Sequence, residues 1–502
     1  MSSVSMPLVK PSTAGTLRPG AITAVVCLAL AAVVAAMSSL NVALPDIARA
    51  THATQTQLAW IIDAYSLVFA SLLLPAGALG DRYGRRRALL AGLVVFGAGS
   101  AVAMTARSAT ELIALRAVIG AGAALVMPAT LSTITGTFPA ERRTRAVSVW
   151  AAVAGGAAVL GLLVSGLVLE VWSWPSVFGL NVVLAVAAIA GTLGVVPESA
   201  DPGTPRVDVS GAVLAVLGLV ALVYSIIEAP GQGWLSVRTL AGLAAGAAIL
   251  ACFVGWELRR RAPLIDPRVF AHPGLAAGSL SVFVQFFALF GFIFIVLQYL
   301  QFVRGHSALV SAVYCLPMSA ALLPASRLAP GLAARLGGRI VCTGGLALIG
   351  AGLIVLAQLT SDSGYWVLAA GIIPLGAGMG LAMPLATSGI TAALPPSRQG
   401  VASALNDLSR EVGGAVGIAT LASVLTVIYQ SHLRLAGVPA EQARMARSSV
   451  AAAVRAGGSI AASAESAFTD GLHLALLISA GIVFATAVVV AATLRNRHGD
   501  AG

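Results

Sequence analysis

An apolar run near the end of the chain, where a membrane helix is predicted over 401–428, contains three ionisable residues: Asp407, Arg410 and Glu411. A charged side chain at the middle of a membrane helix costs about 2.5–3.5 kcal/mol on insertion scales. Spacings of three and four residues place all three side chains on one helix face. Two acids and one arginine can hold or release a single proton without burying a large net charge. The group is therefore a candidate proton-coupling site, and a static ion pair within the helix is the alternative.

Two more charges lie alone in apolar runs. Asp63 lies one to two turns into a predicted helix over 58–79 and has no basic residue among its helical neighbours. Arg116 lies inside a predicted helix over 110–133. Because an unpaired charge is costly in a membrane, Asp63 must face a cavity or a partner helix. For the same reason, Arg116 needs a carboxylate or a carbonyl partner.

The composition indicates an all-α integral membrane protein. Of the 502 residues, 58% are hydrophobic and 10% are charged, whereas roughly a quarter of the residues of a soluble protein are charged. The net charge of +11 does not indicate nucleic-acid binding, because the arginines lie in short clusters between apolar runs. The four cysteines and six histidines lack metal-ligand spacing, so no metal site is predicted.

Fourteen apolar segments are long enough to cross the hydrocarbon core, which takes about 20 residues. Most of the 30 lysines and arginines lie in the loops of one side, which predicts that this side and both termini are cytoplasmic. The predicted spans are 22–44, 58–79, 88–105, 110–133, 145–168, 176–196, 209–228, 239–256, 275–300, 307–326, 340–359, 366–390, 401–428 and 471–494.

These spans divide into two halves with two helices inserted between them. The loop Gly77–Arg87 has a weaker copy at Pro330–Arg339, which predicts paired halves around a midplane site. We expect the inserted helices to be peripheral and the outer segment to form an interfacial or extracellular helix. The predicted parts are a cytoplasmic N-terminus 1–21, an N-terminal bundle 22–196, an insertion 197–274, a C-terminal bundle 275–494 with an outer segment 429–470, and a cytoplasmic tail 495–502.

The loop Gly77–Arg87 combines glycines, one acid and several arginines between two predicted helices. Its glycines permit a tight turn, and Asp81 could cap a neighbouring helix or pair with an arginine across the two halves. Such a loop would be a latch that biases the conformational equilibrium. Alternatively, the arginines only set the topology and contact anionic lipid. The predicted latch residues are Gly77, Gly80, Asp81, Arg82, Gly84, Arg85 and Arg86.

Several motifs resemble the major facilitator superfamily, specifically its 14-helix drug:proton antiporters of the EmrB/QacA type. The loop matches the superfamily pattern G-x-L-x-D-R-x-G-R-[RK], and Arg116–Gly122 resembles the R-x-x-x-G-x-G motif of helix 4. The resemblance implies a major facilitator fold of 14 transmembrane helices, with two six-helix bundles, two inserted helices and a central cavity. Further similar segments are Asn41–Ile47, Trp60–Leu67, Tyr299–Gln301, Gly400–Ser403 and Asn406–Gly417.

The resemblance also implies roles for the membrane charges. It links the acid at Asp63 to the binding of protons or cationic drugs, and it links Arg116 to proton transfer. These two residues join Asp407, Arg410 and Glu411 in the predicted proton-coupling set. Aromatic and amide side chains suit a cavity for lipophilic cations, and ordinary packing is the alternative. The predicted cavity residues are Trp60, Asp63, Tyr65, Phe286, Phe287, Gln298, Tyr299, Gln301 and Asn406.

Four features depart from the family pattern: the helix 5 motif, Ala36 in helix 1, Ser173–Ser176 in place of S-W-R-W before helix 6, and Ile119 where a glutamine is usual in helix 4. The helix 5 motif G-P-x-x-G-G is reduced to Gly161, Ser165 and Gly166, and the lost proline and glycine remove a hinge that membrane helices use. Ala36 stands where many members have an aspartate in helix 1. The missing acid favours a neutral or anionic cargo.

Together these observations predict a proton-coupled secondary transporter in a bacterial cytoplasmic membrane that exports lipophilic compounds, cationic drugs included. We expect no cofactor besides the proton gradient. The expected partners are a small-molecule substrate, protons and membrane lipids but no nucleic acid, and a monomer is the favoured state. Two alternatives are an exporter dedicated to one endogenous metabolite, antibiotic or lipid, and a non-transporting receptor or assembly subunit. An enzyme is not expected, because the chain has no His cluster, no G-x-S-x-G and no phosphate-binding loop.

Overall fold

The computed structural model describes residues 19–138, 140–200, 208–260, 263, 266–394 and 399–494, and within these ranges it contains helices and no strand. The predicted tail 495–502 and most of the predicted N-terminal segment 1–21 lie outside the described residues. The helices are α1 (Pro19–Thr51), α2 (Gln55–Tyr83), α3 (Arg85–Ala103), α4 (Ala109–Thr137), α5 (Ala140–Val171), α6 (Pro175–Val195), α7 (Val209–Gln232), α8 (Val237–Glu257), α9 (Pro273–Gln298), α10 (Ala308–Tyr314), α11 (Leu316–Leu336), α12 (Gly338–Leu356), α13 (Tyr365–Ala392), α14 (Gln399–His432), α15 (Ala440–Ser448), α16 (Val450–Ala456) and α17 (Gly458–Thr493).

Thirteen described segments are long and apolar enough to cross a membrane, with α10 and α11 counted together as Ala308–Leu336. The helix α5 is 32 residues long, and its apolar part Gly156–Val171 accounts for one more crossing. The predicted all-α membrane fold is confirmed, and the predicted count of fourteen crossings is consistent with these segments.

The crossings alternate in direction, so the loops gather at two faces. We call the face where α1 ends and α2 begins the α1–α2 face, and the opposite face, where α2 ends and α3 begins, the α2–α3 face. The first and last described helices both have their chain-terminal ends at the α2–α3 face, as an even number of crossings requires. Among the described loops, those at this face hold most of the arginines.

The helices form two bundles that meet along two seams. One bundle consists of α1–α6, and the other consists of α9–α14 together with α17. Between the bundles, α2 packs against α14 and α5 packs against α10. These two seams are where the bundles must separate if they move relative to each other.

Only one of the two inserted helices is peripheral. The helix α8 packs mainly against α7, and 11% of its most apolar window is buried. In contrast, α7 packs against both α2 and α14 and buries Val223, Ile226 and Ile227. The expectation of two peripheral helices is therefore wrong for α7. The apolar sequence of a helix shows that it lies in the membrane but not which neighbours it contacts.

The outer segment 429–470 differs from the single helix that we expected. The helix α14 continues to His432, the two short helices α15 and α16 follow, and α17 begins at Gly458 instead of 471. The break between α16 and α17 has a local cause, because Gly457 and Gly458 have φ values of +70° and +57°, which favour glycine and end a helix. The Tyr429 hydroxyl donates to the carbonyl of Ala446 at 2.7 Å and holds α15 against α14.

Candidate proton and substrate site

Arg116 of α4 is fully buried and is held by α2. Its Nε donates to the carbonyl oxygen of Ile61 at 2.9 Å, and its guanidinium lies 4.2 Å from the centre of the Tyr65 ring. The close approach of α4 depends on Gly120, one turn further on, because a Cβ there would lie 2.5 Å from the carbonyl oxygen of Tyr65. A carbonyl and a ring face are thus the partners of Arg116, and they leave its Nη1 without a hydrogen bond among the described residues.

Asp63 lies on α2 between the two residues that hold Arg116. Its side chain is fully buried, and neither carboxylate oxygen has a hydrogen-bond partner among the described residues. A buried unpaired carboxylate is costly, and a group of this kind in a native protein calls for an explanation such as a proton, a water molecule or a ligand. The position therefore suits a group that exchanges its partner during a functional cycle.

The three charges of α14 form a second group. Arg410 lies 3.6 Å from Asp407, and its guanidinium lies 4.8 Å from the centre of the Phe286 ring of α9. Asn406 accepts a hydrogen bond from Thr387 of α13 at 2.9 Å. Glu411 is 2% exposed, lies within electrostatic range of Arg410 and Asp407, and has an Oε2 without a partner among the described residues. The predicted grouping of Asp407, Arg410 and Glu411 on one helix face agrees with these positions.

The two groups face each other across the seam between α2 and α14. Glu411 lies within electrostatic range of Tyr65, whose ring contacts Arg116. A set of polar groups thus lies on the two sides of this seam, with the buried Arg116 and Tyr65 in one bundle and the buried Glu411 and half-buried Asp407 in the other. Because its members belong to helices of different bundles, relative motion of the bundles changes the electrostatic environment of both acids on α14.

The predicted cavity residues on α9 separate into two sets. Phe286 and Phe287 lie beside α14: the Phe286 ring contacts Arg410, and Gly417 permits the close approach of the backbone of Phe287. Three residues lie instead at the α1–α2 face, where Gln298 accepts from Gln55 at 3.0 Å, Tyr299 donates to the carbonyl of Thr360 at 2.6 Å, and Gln301 donates to the carbonyl of Val42 at 3.0 Å. The bonds of Gln298 and Gln301 join the two bundles and close this face.

Trp60, another predicted cavity residue, contacts the inserted helix α7. Its indole Nε1 donates to Glu228 at 3.0 Å, and its ring centre lies 5.8 Å from that of Tyr224. The sequence analysis did not single out Glu228. An acid at the end of an apolar span was the signal that could have identified it, although its partner on α2 is 168 residues away.

The predicted latch loop is held within its own half. Asp81 pairs with Arg85 at 2.8 Å, and among the described residues it has no ion pair with an arginine of the other half, contrary to the predicted pairing across the two halves. A spacing of four residues brings these two side chains together at the end of α2. Gly84, with φ of +123°, ends α2, as the predicted turn requires. Around it, Gly77 lies against Pro128 of α4, and Gly80 lies against Ala88 of α3.

The segment after α6 covers this loop. Glu198 accepts from the backbone N–H of Arg86 at 3.2 Å and lies 3.6 Å from Arg87, while the Arg86 side chain donates to the carbonyl of Leu193 at 2.9 Å. Arg82 lies over the Tyr83 ring at 5.7 Å. The sequence analysis missed Glu198, a loop acid whose only sequence signal was its position directly after a predicted helix.

The residual helix 5 motif lies at a contact between the two bundles. Gly161 permits α5 to approach Ala35 of α1 closely, and Gly166 permits α5 to approach Leu309 of α10. Ser165 between them is fully buried, and its hydroxyl has no partner among the described residues. Gly166 therefore lies at the seam between α5 and α10, Gly161 lies at a contact within the first bundle, and both glycines allow helix contact where the missing proline would have allowed bending.

Two bundles of membrane helices with buried charges along their common seam define a secondary transporter rather than an enzyme. The chain belongs to the Major Facilitator Superfamily, whose family model matches residues 26–418. It is 34% identical over 451 residues to the methyl viologen resistance protein SmvA of Salmonella typhimurium, covering 89% of this chain and 91% of that protein.

Two further relatives have similar coverage. The chain is 32% identical to the multidrug efflux pump LfrA of Mycolicibacterium smegmatis, with 91% of this chain and 92% of that protein covered. It is 30% identical to the tetracenomycin C resistance and export protein of Streptomyces glaucescens, with 94% and 91% covered.

Solved structures share the fold. A bacterial homologue of the human lysosomal transporter Spinster matches with a TM-score of 0.67 and 16% identity, covering 96% of this chain and 98% of that one. The xylose transporter XylE of E. coli matches with a TM-score of 0.59 and 14% identity, again covering 96% and 98%.

Proposed function

We propose that this protein is a proton-coupled exporter of lipophilic compounds, cationic drugs included, across the bacterial cytoplasmic membrane. Relatives that cover about nine tenths of the chain are named for methyl viologen resistance and for multidrug efflux, which supports drug export. The excess of lysine and arginine at the α2–α3 face supports a cytoplasmic position for that face and for both termini. On this orientation the α1–α2 face is the outer one.

The main support for proton coupling is the set of buried charges on both sides of the seam between α2 and α14. Protonation of Asp407 or Glu411 changes the charge that α14 presents to Tyr65 and Arg116 of the other bundle, and so shifts the balance between inward- and outward-facing states. Inward movement of one proton supplies about 2.3 kcal/mol per 100 mV of membrane potential, besides any pH gradient. Asp63, buried and unpaired among the described residues, is the second candidate for the proton or for a cationic group of the substrate.

Flux in liposomes tests this proposal. The purified protein is reconstituted, a pH gradient is imposed, and ethidium movement is followed for the wild type and for Asp407→Asn. Gradient-driven flux that the substitution abolishes supports drug:proton antiport with coupling on α14. Undiminished flux in the variant removes Asp407 from the mechanism, and absence of flux from folded wild-type protein contradicts export of cationic drugs.

A dedicated exporter of one endogenous compound is the second candidate function. Ala36, where many family members have an acid, favours a neutral or anionic cargo, and a relative is named for tetracenomycin C export. The same liposomes, tested with methyl viologen, ethidium and neutral or anionic polycyclic aromatics, discriminate the two. Flux restricted to one uncharged or anionic compound supports the dedicated exporter.

A further inference from the structure

The inserted helix α7 is hydrogen bonded to both bundles at one level near the α1–α2 face. On one side, Nε1 of Trp60 in α2 donates to Oε1 of Glu228 at 3.0 Å. On the other side, the hydroxyl of Ser423 in α14 donates to the carbonyl oxygen of Ile226 at 2.9 Å. Because Ile226 and Glu228 are two residues apart on α7, this helix spans the seam between α2 and α14.

The space enclosed at this junction is too small for a drug-sized ligand. The space between the three helices, with Ala59, Ile227 and Ala422 in its wall, has essentially no room even for a water molecule, whereas ligand pockets measure about 300–1,000 Å³. The Trp60 and Tyr224 rings pack on the side of α7 that faces α2. The junction is therefore a packed contact between helices and not a substrate site.

We propose that Glu228 is a positioning residue of the transport cycle. Through Trp60 it holds α7 across the seam and so favours the state in which the α1–α2 face is closed. Opening of that face separates α2 from α14, and α7 cannot then remain hydrogen bonded to both. The inference depends on the proposed function in one respect, namely that the two bundles move relative to each other.

The hydrogen bond of Glu228 can be separated from its charge by substitution. Glu228→Gln keeps an oxygen that accepts from Trp60 and removes the negative charge. Glu228→Leu and Trp60→Phe each remove the hydrogen bond. If Glu228 acts by binding a cation or a proton, both Glu228→Gln and Glu228→Leu lose its effect. If Glu228 acts through its bond to Trp60, Glu228→Gln keeps the effect and Glu228→Leu loses it.

The rate at which maleimide labels a cysteine on α14 measures how readily the seam between α2 and α14 opens. Ala422, which is 4% exposed, is replaced by cysteine in a background whose native cysteines are serine, and maleimide labelling of the purified protein is timed. We expect Trp60→Phe and Glu228→Leu to speed labelling about three- to tenfold, the effect of one lost hydrogen bond on a two-state equilibrium. We expect Glu228→Gln to stay within about twofold of the parent protein, because it keeps the acceptor.

Two control variants test whether faster labelling results from loss of the bond between Trp60 and Glu228. Trp366→Phe, at an exposed position on α13, removes an indole far from the seam and should leave labelling unchanged. The double variant Trp60→Phe/Glu228→Leu should not label faster than either single variant, because both single changes remove the same bond and the double change leaves neither polar partner behind.

The proposal is overturned if Glu228→Leu and Trp60→Phe label at the parent rate, or if Glu228→Gln labels as fast as Glu228→Leu. The second result would assign the effect to the charge of Glu228 and not to its bond. The assay uses neither a drug nor a proton gradient. Failure of the ethidium experiment would therefore leave this inference standing, and failure here would leave the proposed transport standing.

Discussion

Gln55 of α2 donates through Nε2 to Oε1 of Gln298 of α9 at 3.0 Å, and this buried bond joins the two bundles at the α1–α2 face. The residues are 243 positions apart in the sequence. Together with the bond from Gln301 to the carbonyl of Val42, it holds that face closed. A transport cycle that opens this face must break both bonds.

Removal of one partner of this pair should destabilise the closed state. Gln298→Leu leaves the buried Nε2 of Gln55 without its acceptor, at a cost of about 1–3 kcal/mol, whereas replacement of both glutamines by leucine should cost less because no buried donor remains. Thermal unfolding in detergent compares the single and the double variant, with Gln358→Leu at an exposed site as control. A double variant less stable than Gln298→Leu would contradict the role of the pair.

Asp63→Asn should abolish gradient-driven flux without loss of stability. The substitution removes a buried acid whose oxygens have no partners among the described residues, so no native hydrogen bond is lost and the cost of burying a charge disappears. Ethidium flux and thermal unfolding are measured on the same preparation. Asp46→Asn, which alters a pair with Arg49 on a partly exposed surface, serves as the matched acid and should retain flux. Full flux in Asp63→Asn would exclude a role in coupling.

Arg116→Lys should lower the rate of ethidium flux by at least about tenfold without unfolding the protein. A planar guanidinium can donate to a carbonyl and stack on an aromatic ring at the same time, whereas a lysine ammonium cannot. Arg116 uses both contacts, with Ile61 and with Tyr65. The control is Arg107→Lys in the loop before α4, which should transport normally. Unaltered initial rates in Arg116→Lys would show that charge alone suffices at this position.

Gly120→Ala should destabilise the protein by about 1–3 kcal/mol, the usual cost of overpacking. Its Cβ would lie 2.5 Å from the carbonyl oxygen of Tyr65 and would push α4 from α2. Gly481→Ala is the matched control, because a Cβ there meets nothing within 4 Å and alanine favours a helix. Melting temperatures of the two variants should move in opposite directions, and a shared direction would contradict the packing role of Gly120.

The sequence by itself determined the membrane helices, their approximate ends and the family. An apolar run of sufficient length predicts a transmembrane helix. The hydrocarbon core contains no water, so the backbone N–H and C=O groups must hydrogen bond to each other within the helix. Contacts between residues close in the sequence could also be predicted from the sequence, because they depend only on helix geometry. Asp407 and Arg410 are neighbours on α14 because helix geometry places residues three apart on one face.

Only the tertiary structure decided which helices meet and therefore which charges interact. The contact of Arg116 with Tyr65, the contact of Arg410 with Phe286 and the bond between Trp60 and Glu228 join residues on different helices. Helices in a membrane associate through packing and a few polar contacts rather than through hydrophobic burial. A uniformly apolar sequence therefore does not reveal that α7 spans the seam between α2 and α14. The close approach of α4 to α2 and of α5 to α1 depends on the small residues Gly120 and Gly161, whose effect appears only where a second backbone approaches them.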